Sequence, residues 1–318
     1  MKKNKVLVTE SENLSEETKK KIRKLGKTDF LNLDYESLKK VIASYNIIII
    51  GLSIKIDIQI INQARKLEFI LSPTTGLNHL NINYLQKKKI KVISLKGKTS
   101  FLKNIPATAE HTFALILNLV RKISLANNDV KRKNWNRKKF LGSELFDKNL
   151  GIVGYGRIGR IVKKIGNAFG MKTYFYDPYV KASFKNSTQV KSLQELAKIS
   201  DIFTIHIPSN EKNKKIISKK VLINLKKNSF LINTSRGDLI DEHALIEILK
   251  NKKIAGAALD VINFEYGNVI NQNIINYACE NDNLLITPHI GGYTNESINK
   301  THQHVVEILL DQINAPQY

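Results

Sequence analysis

Three residue types in the second half of the chain could together move a proton and hold an acid. Arg236, in NTSRG, carries a planar guanidinium that can grip a carboxylate through two parallel hydrogen bonds. His289, in LLITPHIGG, carries a group that exchanges a proton near neutral pH. Glu265, five residues beyond the Asp260 of GAALDV, could accept a hydrogen bond from that imidazole, orient it and stabilise its charged form. Arg236, Asp260 and His289 each follow a short apolar run that reads as a strand, and in open parallel α/β sheets ligands bind outside the carboxyl ends of the strands. Beside a nicotinamide, such a set would support hydride transfer at a carbon bearing a hydroxyl. Each residue also has a plainer reading: an arginine in a loop as a surface ion pair, a histidine beside a Pro-Gly turn as a structural residue. Spacing alone leaves both readings open. His206, in HIP, is read as a cofactor-pocket or structural residue.

The redox partner is suggested by LGIVGYGRIGR, residues 150–160. Gly154, Gly156 and Gly159 form G-x-G-x-x-G between a strand pattern and a helix pattern, the context in which this otherwise weak motif binds dinucleotides. Gly154 would make the tight turn, Gly156 would let the backbone approach a pyrophosphate, and Gly159 would let the helix pack on the strand. Arg157 and Ile158, the first residues of that helix, share the amide-rich, positive end of its dipole. The motif asks for an acidic residue about 20 positions on, at the end of the next strand. KTYFYD ends there at Asp177, whose carboxylate could bind ribose hydroxyls and repel a 2′-phosphate, which favours NAD over NADP. Lys181 and Lys185 lie nearby and leave room for NADP.

The elements that must position these residues form two alternating series. In residues 1–103, KVLVTE, NIIIIGL, EFILSPTTG and IKVISL read as strands, with LSEETKKKIRKLG, DYESLKKVIAS, IDIQIINQARKL and NINYLQKKK as intervening helical segments. A long helical run, 104–134, opens near Pro106. From Asn149 the alternation resumes through GIVGYG, KTYFYD, DIFTIHIP, SFLINTSRG, IAGAALDV and NLLITPHI, and NESINKTHQHVVEILLDQI reads as one closing helix. The fold class is α/β with two doubly wound parallel sheets, the first flavodoxin-like and the second a Rossmann domain. The domains expected are 1–103 plus 295–318 and 104–294.

Composition narrows the functional classes. With 318 residues, 42% hydrophobic, two domains with real cores are expected rather than disorder. The net charge of +23 raises a nucleic-acid partner, with KRKNWNRKKF (131–140) as its best segment. The lysines are scattered, however, so compositional bias is the preferred reading, and the milder expectation is attraction of an anionic substrate. One cysteine, Cys279, excludes an intramolecular disulfide, and no zinc ligand set is visible. The N-terminus lacks the apolar region of a signal peptide, and the apolar stretch around 47–54 is too short to span a bilayer. The expectation is a cytoplasmic protein with no metal, no membrane and no nucleic-acid partner.

LGIVGYGRIGR, HIPSNEK, LINTSRGDLIDEHALIEILKNKKIAGAALDV and TPHIGG, in this order, resemble the D-isomer-specific 2-hydroxyacid dehydrogenase family, which includes D-3-phosphoglycerate, D-lactate and glyoxylate/hydroxypyruvate enzymes. The resemblance implies an NAD-dependent enzyme interconverting a D-2-hydroxy acid and a 2-oxo acid, with Arg236, Glu265 and His289 catalytic. It implies that Asp260 binds the nicotinamide carboxamide, that Thr234 and Ser235 line the nicotinamide side, and that Thr112 stands near the cofactor. SPTTGLNHLN (72–81) is similar to the family's substrate loop, where Thr75, Gly76 and Leu77 would offer amides to the carboxylate and Asn78 would support the loop. It implies a cofactor domain inserted into a substrate domain, a cleft that closes between them, and a homodimer. The substrate is left open among D-3-phosphoglycerate, glyoxylate, hydroxypyruvate and bulkier sugar acids, with the positive charge tilting towards a phosphorylated or polyanionic one. A non-catalytic NAD-responsive binding protein is the alternative from another class. Tyr266 follows Glu265 where many members have Pro, and Asn251 stands where a Gly commonly ends the helix. Glu265 argues against formate oxidation, whose enzymes pair the histidine with Gln. The sequence stops at Tyr318, so no regulatory domain is expected.

Overall fold

The computed structural model describes residues 4–180, 185–263 and 272–315. Glu265, Tyr266 and Lys181 lie outside the described residues. The chain divides into two compact units, one comprising residues up to Ile105 together with those from Tyr293 onward, the other running from Pro106 to Gly292 among the described residues.

The first unit is built on β1 (Lys5–Val8), β2 (Lys27–Phe30), β3 (Ile47–Ile49), β4 (Phe69–Ser72) and β5 (Lys91–Ser94). All pair in parallel, in the order β2-β1-β3-β4-β5. The central strands are apolar at nearly every position because helices cover both faces. Alternate residues point to opposite faces: Leu7, Ile48 and Ile70 pack with Leu38, Ile42, Ile60 and Leu85. Val6, Val8, Ile47, Ile49 and Leu71 pack with Ile22 and with Val305, Val306 and Leu309 of the helix Asn295–Asn314. That helix, from the far end of the sequence, therefore covers one face of a sheet made by the first hundred residues. Strand β2 carries only one large apolar side chain in KTDF, and it is an edge strand.

The second unit holds β6 (Asn149–Val153), β7 (Lys172–Tyr176), β8 (Thr188–Gln189), β9 (Ile202–Ile205), β10 (Phe230–Asn233), β11 (Gly256–Leu259) and β12 (Leu284–Ile286). Its seven-stranded parallel sheet runs β12-β11-β10-β9-β6-β7-β8. Both sheets have the doubly wound α/β architecture expected. The helical run expected over 104–134 divides into Ala107–Arg121 and Ile123–Lys131. Lys122 takes a left-handed conformation at φ +53°, and Asn118 accepts from the Ser124 amide at 2.8 Å. Side-chain capture across the break offsets the backbone bonds that a continuous helix would have made.

Candidate active site

The order of the second sheet reverses between β6 and β9, so a crevice opens at their carboxyl ends. The glycine turn follows β6. Gly154 has φ +90°, and a Cβ there would fall 2.6 Å from the His206 carbonyl oxygen. Gly159, in the helix Arg157–Ala168, lies so close that a Cβ would stand 2.2 Å from the Gly154 carbonyl oxygen. Gly156 differs from both: its φ is an ordinary −75°, and a Cβ would meet nothing within 4 Å. Arg157, half-buried at the helix start, is pushed down from its usual value by burial and keeps its charge. Asp177 closes the turn, with Oδ2 accepting from the Tyr155 amide at 2.8 Å and Oδ1 from the Tyr179 amide at 2.9 Å.

His206 follows β9, with its amide donating to the Val153 carbonyl at 2.7 Å. Neither ring nitrogen has a hydrogen-bond partner among the described residues, though both are buried. Burial pushes the ring down to about 3, so it is neutral at physiological pH.

At the end of β10, Asn233 is wholly buried and shapes the turn that carries the arginine. Its Oδ1 accepts from the Ser235 amide at 3.0 Å and its Nδ2 donates to the Arg236 carbonyl at 2.8 Å. The Ser235 hydroxyl donates to the Ile205 carbonyl at 2.8 Å, tying β10 to β9. The Thr112 hydroxyl donates to the Thr108 carbonyl at 2.8 Å, which leaves Thr234 as donor in the 2.9 Å pair between the two threonines. Thus Thr112 and Thr234, 122 residues apart in sequence, meet directly. Gly237 presses on the segment leaving β11, where a Cβ would stand 2.0 Å from the Ile262 carbonyl carbon. The buried Glu242 carboxylate accepts from the Asn263 amide of that segment at 2.7 Å.

His289 stands just beyond β12 at φ +55°, a conformation uncommon for a side-chain-bearing residue. Its amide donates to the carbonyls of Asp260 (2.8 Å) and Thr287 (2.9 Å). The Asp260 carboxylate, 1% exposed, takes bonds from both sides of the histidine. Oδ1 accepts from the Thr287 hydroxyl at 2.6 Å and the Ile290 amide at 2.9 Å, with His111 Nε2 at 3.2 Å. Oδ2 accepts from the Gly291 amide at 2.7 Å. Burial raises the Asp260 carboxyl, but the bonds from His111, Thr287, Ile290 and Gly291 together outweigh burial and hold it below the usual range. Asp260 is thereby the anchor of the loop that presents His289, and Oδ2 retains acceptor capacity.

In the first unit, the loop after β4 is braced from within. Ser72 Oγ lies 2.8 Å from Thr74 Oγ1 and 3.2 Å from Nε2 of the fully buried His79, while the Thr74 hydroxyl donates to the Gly76 carbonyl at 2.8 Å. Among the described residues, the amides of Thr75, Gly76 and Leu77 donate to no protein acceptor. Consecutive open amides of this kind form an anion cradle. Asn78 lines a cavity of about 640 Å³ with Lys55, Asp57, Gln59, Asn81 and Asn83.

The second unit therefore brings Gly154, Gly156, Gly159, His206, Thr234, Ser235, Arg236, Asp260 and His289 to the carboxyl ends of one sheet, and the first unit holds Thr75–Asn78. Sequence reasoning missed Asn233, His111 and Thr287. Asn233 had a usable signal, an Asn opening the turn N-T-S-R-G. His111 had none, because its partner Asp260 is remote in the chain.

The features of a dinucleotide site fit this unit. Gly156 leaves open space where a pyrophosphate would approach the backbone, and His206 offers two buried nitrogens without partners among the described residues. Residues 113–291 match the family model described as "D-isomer specific 2-hydroxyacid dehydrogenase, NAD binding domain". The chain is 32% identical over 294 residues to a D-3-phosphoglycerate dehydrogenase of Bacillus subtilis, covering 91% of this chain and 54% of the relative. It is 31% identical over 283 residues to a hydroxypyruvate reductase of Thermotoga maritima, covering 89% of each. The fold is similar to D-lactate dehydrogenase from Aquifex aeolicus complexed with NAD and lactic acid, with TM-score 0.82, 28% identity, and coverage of 98% of this chain and 95% of that one. The chain spans about half the length of the D-3-phosphoglycerate dehydrogenase from Bacillus subtilis.

Proposed function

Because the chain belongs to the D-isomer specific 2-hydroxyacid dehydrogenase family, we propose that it is an oxidoreductase interconverting a D-2-hydroxy acid and the corresponding 2-oxo acid with NAD. The observation that carries this reading is the convergence of the glycine turn, His206, Arg236 and His289 on the carboxyl ends of a single parallel sheet. The second unit, the family's NAD-binding domain, would hold the dinucleotide at Gly154–Gly159, with Asp177 on the ribose and His206, Thr112, Thr234, Ser235 and Asp260 around the nicotinamide end. Bound NAD supplies the hydride acceptor, and NADH the donor.

The protein's own groups handle the proton and the acid. Arg236 pairs with the substrate carboxylate through its guanidinium fork. In reduction, the protonated His289 ring gives its proton to the carbonyl oxygen of the 2-oxo acid; in oxidation, the neutral ring takes the hydroxyl proton. Asp260 fixes the His289 backbone, and Glu265 is proposed to orient the ring. In the first unit, the open amides of Thr75–Leu77 are proposed as further carboxylate donors, with Asn78 supporting their loop.

We further propose a cytoplasmic homodimer. Among the described residues no helix is long and apolar enough to cross a membrane. The single cysteine, Cys279, is exposed and free, as suits a reducing compartment. The second unit exposes the large apolar side chains of Trp135 (90%), Leu141 (83%) and Phe146 (72%), which a second copy would cover in a dimer. The reading is tested by following NADH absorbance with purified protein and a panel of 2-oxo acids. Oxidation of NADH dependent on one of the acids is expected, and tight NADH binding with no turnover of any acid would instead support a binding protein.

A further inference from the structure

The first sheet also has a switch point. Its order β2-β1-β3-β4-β5 reverses between β1 and β3, so this unit's own crevice lies outside the carboxyl ends of those two strands. The residues there are Thr9 and Glu10 after β1, and Ile50 to Ser53 after β3. Thr9 and Ile50 are wholly buried and continue the core. Glu10 and Gly51 form the floor.

The Glu10 carboxylate lies directly on the Gly51 backbone. A Cβ on Gly51 would fall 2.5 and 2.7 Å from its two oxygens, so a side chain at position 51 would displace the carboxylate from this seat. Ser53 then fixes one end of the carboxylate: Oε1 accepts from the Ser53 hydroxyl at 2.6 Å and the Ser53 amide at 3.3 Å. Oε2 has no hydrogen-bond partner, and no ion pair reaches Glu10, among the described residues. In a chain of net charge +23, this carboxylate pairs with no cation among the described residues and is held in place by a serine above a glycine. A half-buried, oriented acceptor with one oxygen open suits a hydrogen-bond donor on a ligand. It opposes a phosphate, whose charge it would repel.

We infer that Glu10, seated on Gly51 and clamped by Ser53, reads the side chain of the substrate, and that the substrate is a 2-oxo or 2-hydroxy acid whose side chain carries free hydroxyl groups rather than a phosphate. This rests on the dehydrogenase reading above and gives it a substrate class. It also reverses the pull that net charge exerts towards a phosphorylated acid, because the local group, not the distant lysines, meets the ligand.

The test compares kcat/KM of the full chain for hydroxypyruvate, pyruvate and phosphohydroxypyruvate, with NADH binding followed separately by fluorescence. The parent protein is expected to prefer hydroxypyruvate to both others by at least about 10-fold, the range of a hydrogen bond to a charged group. Glu10→Gln, which keeps shape and removes charge, is expected to cut the hydroxypyruvate-to-pyruvate ratio about 10-fold and to narrow discrimination against phosphohydroxypyruvate. Ser53→Ala is expected to shift both ratios the same way by less. Preference of the parent for phosphohydroxypyruvate, or ratios unmoved in Glu10→Gln with NADH binding intact, overturns the inference alone. Absence of turnover with every 2-oxo acid, despite NADH binding, overturns the dehydrogenase reading and this inference with it.

Discussion

Gly156 and Gly159 belong to one motif but are glycines for different reasons, and substitution separates them. A methyl on Gly159 would meet the backbone of Gly154, which cannot move aside without distorting the turn. Gly159→Ala is therefore expected to lower stability by roughly 1–3 kcal/mol, seen as a lower urea midpoint, and to weaken NADH binding. A methyl on Gly156 meets no protein atom within 4 Å. Gly156→Ala is expected to keep the urea midpoint within about 0.5 kcal/mol of the parent while NADH binding weakens at least several-fold. A parental NADH affinity in that variant would show that the open space is not where the cofactor approaches. His289 carries a second residue-scale prediction. His289→Ala should lose about 10²–10⁴ in kcat and retain NADH binding, and near-normal turnover would remove the ring from the reaction. The positive φ of His289 adds a qualification that the sequence did not display: the loop itself is held in an uncommon conformation by Asp260 and Thr287, so Asp260 supports the site whatever it does for the nicotinamide.

At the scale of elements, the end of β7 and the glycine turn form one unit through Asp177. Its carboxylate accepts two loop amides, and it is the residue proposed to hold the ribose. Asp177→Ala should consequently narrow the preference for NADH over NADPH and also weaken NADH itself; an unchanged NADH-to-NADPH ratio would place the ribose elsewhere. Long apolar strands such as NIIIIGL and FLIN were legible because burial on both faces leaves them apolar at nearly every position. Strands β2 and β8 were not, since KTDF and the two residues Thr188–Gln189 lie at edges where little side chain is buried. Helix Gln272–Glu280 went unread, although Ile274 and Tyr277 mark its buried side. The break at Lys122 depends on a side-chain bond between Asn118 and Ser124 that periodicity does not register. Within the site, residues ending strands could be found by type and position. Residues acting through partners far along the chain, Asp260 with His111 and Glu10 with Ser53, needed the fold.

For the whole molecule, two properties follow from burial and exposure. His302, on the helix that covers the first sheet, is pushed down to about 4 by burial, against the pull of the Ile298 carbonyl that its ring bonds. Its folded value lies below the ordinary 6.5, so the unfolded chain takes up this proton first. Its contribution to stability is complete above about pH 6.5 and is lost as pH falls towards 4. His302→Leu should therefore lose less stability between pH 7 and 4.5 than the parent, by roughly 2 kcal/mol, in urea titrations at the two pH values. An equal loss would assign the acid sensitivity to other groups, His206 among them. The exposed Trp135, Leu141 and Phe146 make the other prediction. Leu141→Asp with Trp135→Ala should sediment as a monomer if the parent sediments as a dimer, and a parent that is monomeric at micromolar concentration would leave these side chains without the proposed role.

The helix Asn295–Asn314 closes a sheet whose strands all precede residue 95, and the entire second unit is encoded between them. A ribosome adds roughly 5–20 residues per second, so the face bearing Val6, Val8, Ile47, Ile49 and Leu71 waits on the order of ten seconds or more for its cover. During that interval the nascent first unit presents an aliphatic surface only partly covered by Ile22 and its neighbours, while the second unit is free to complete its own core. Synthesis thus favours an order of folding, second unit before first, and makes the newborn chain a client for any chaperone that binds apolar strands.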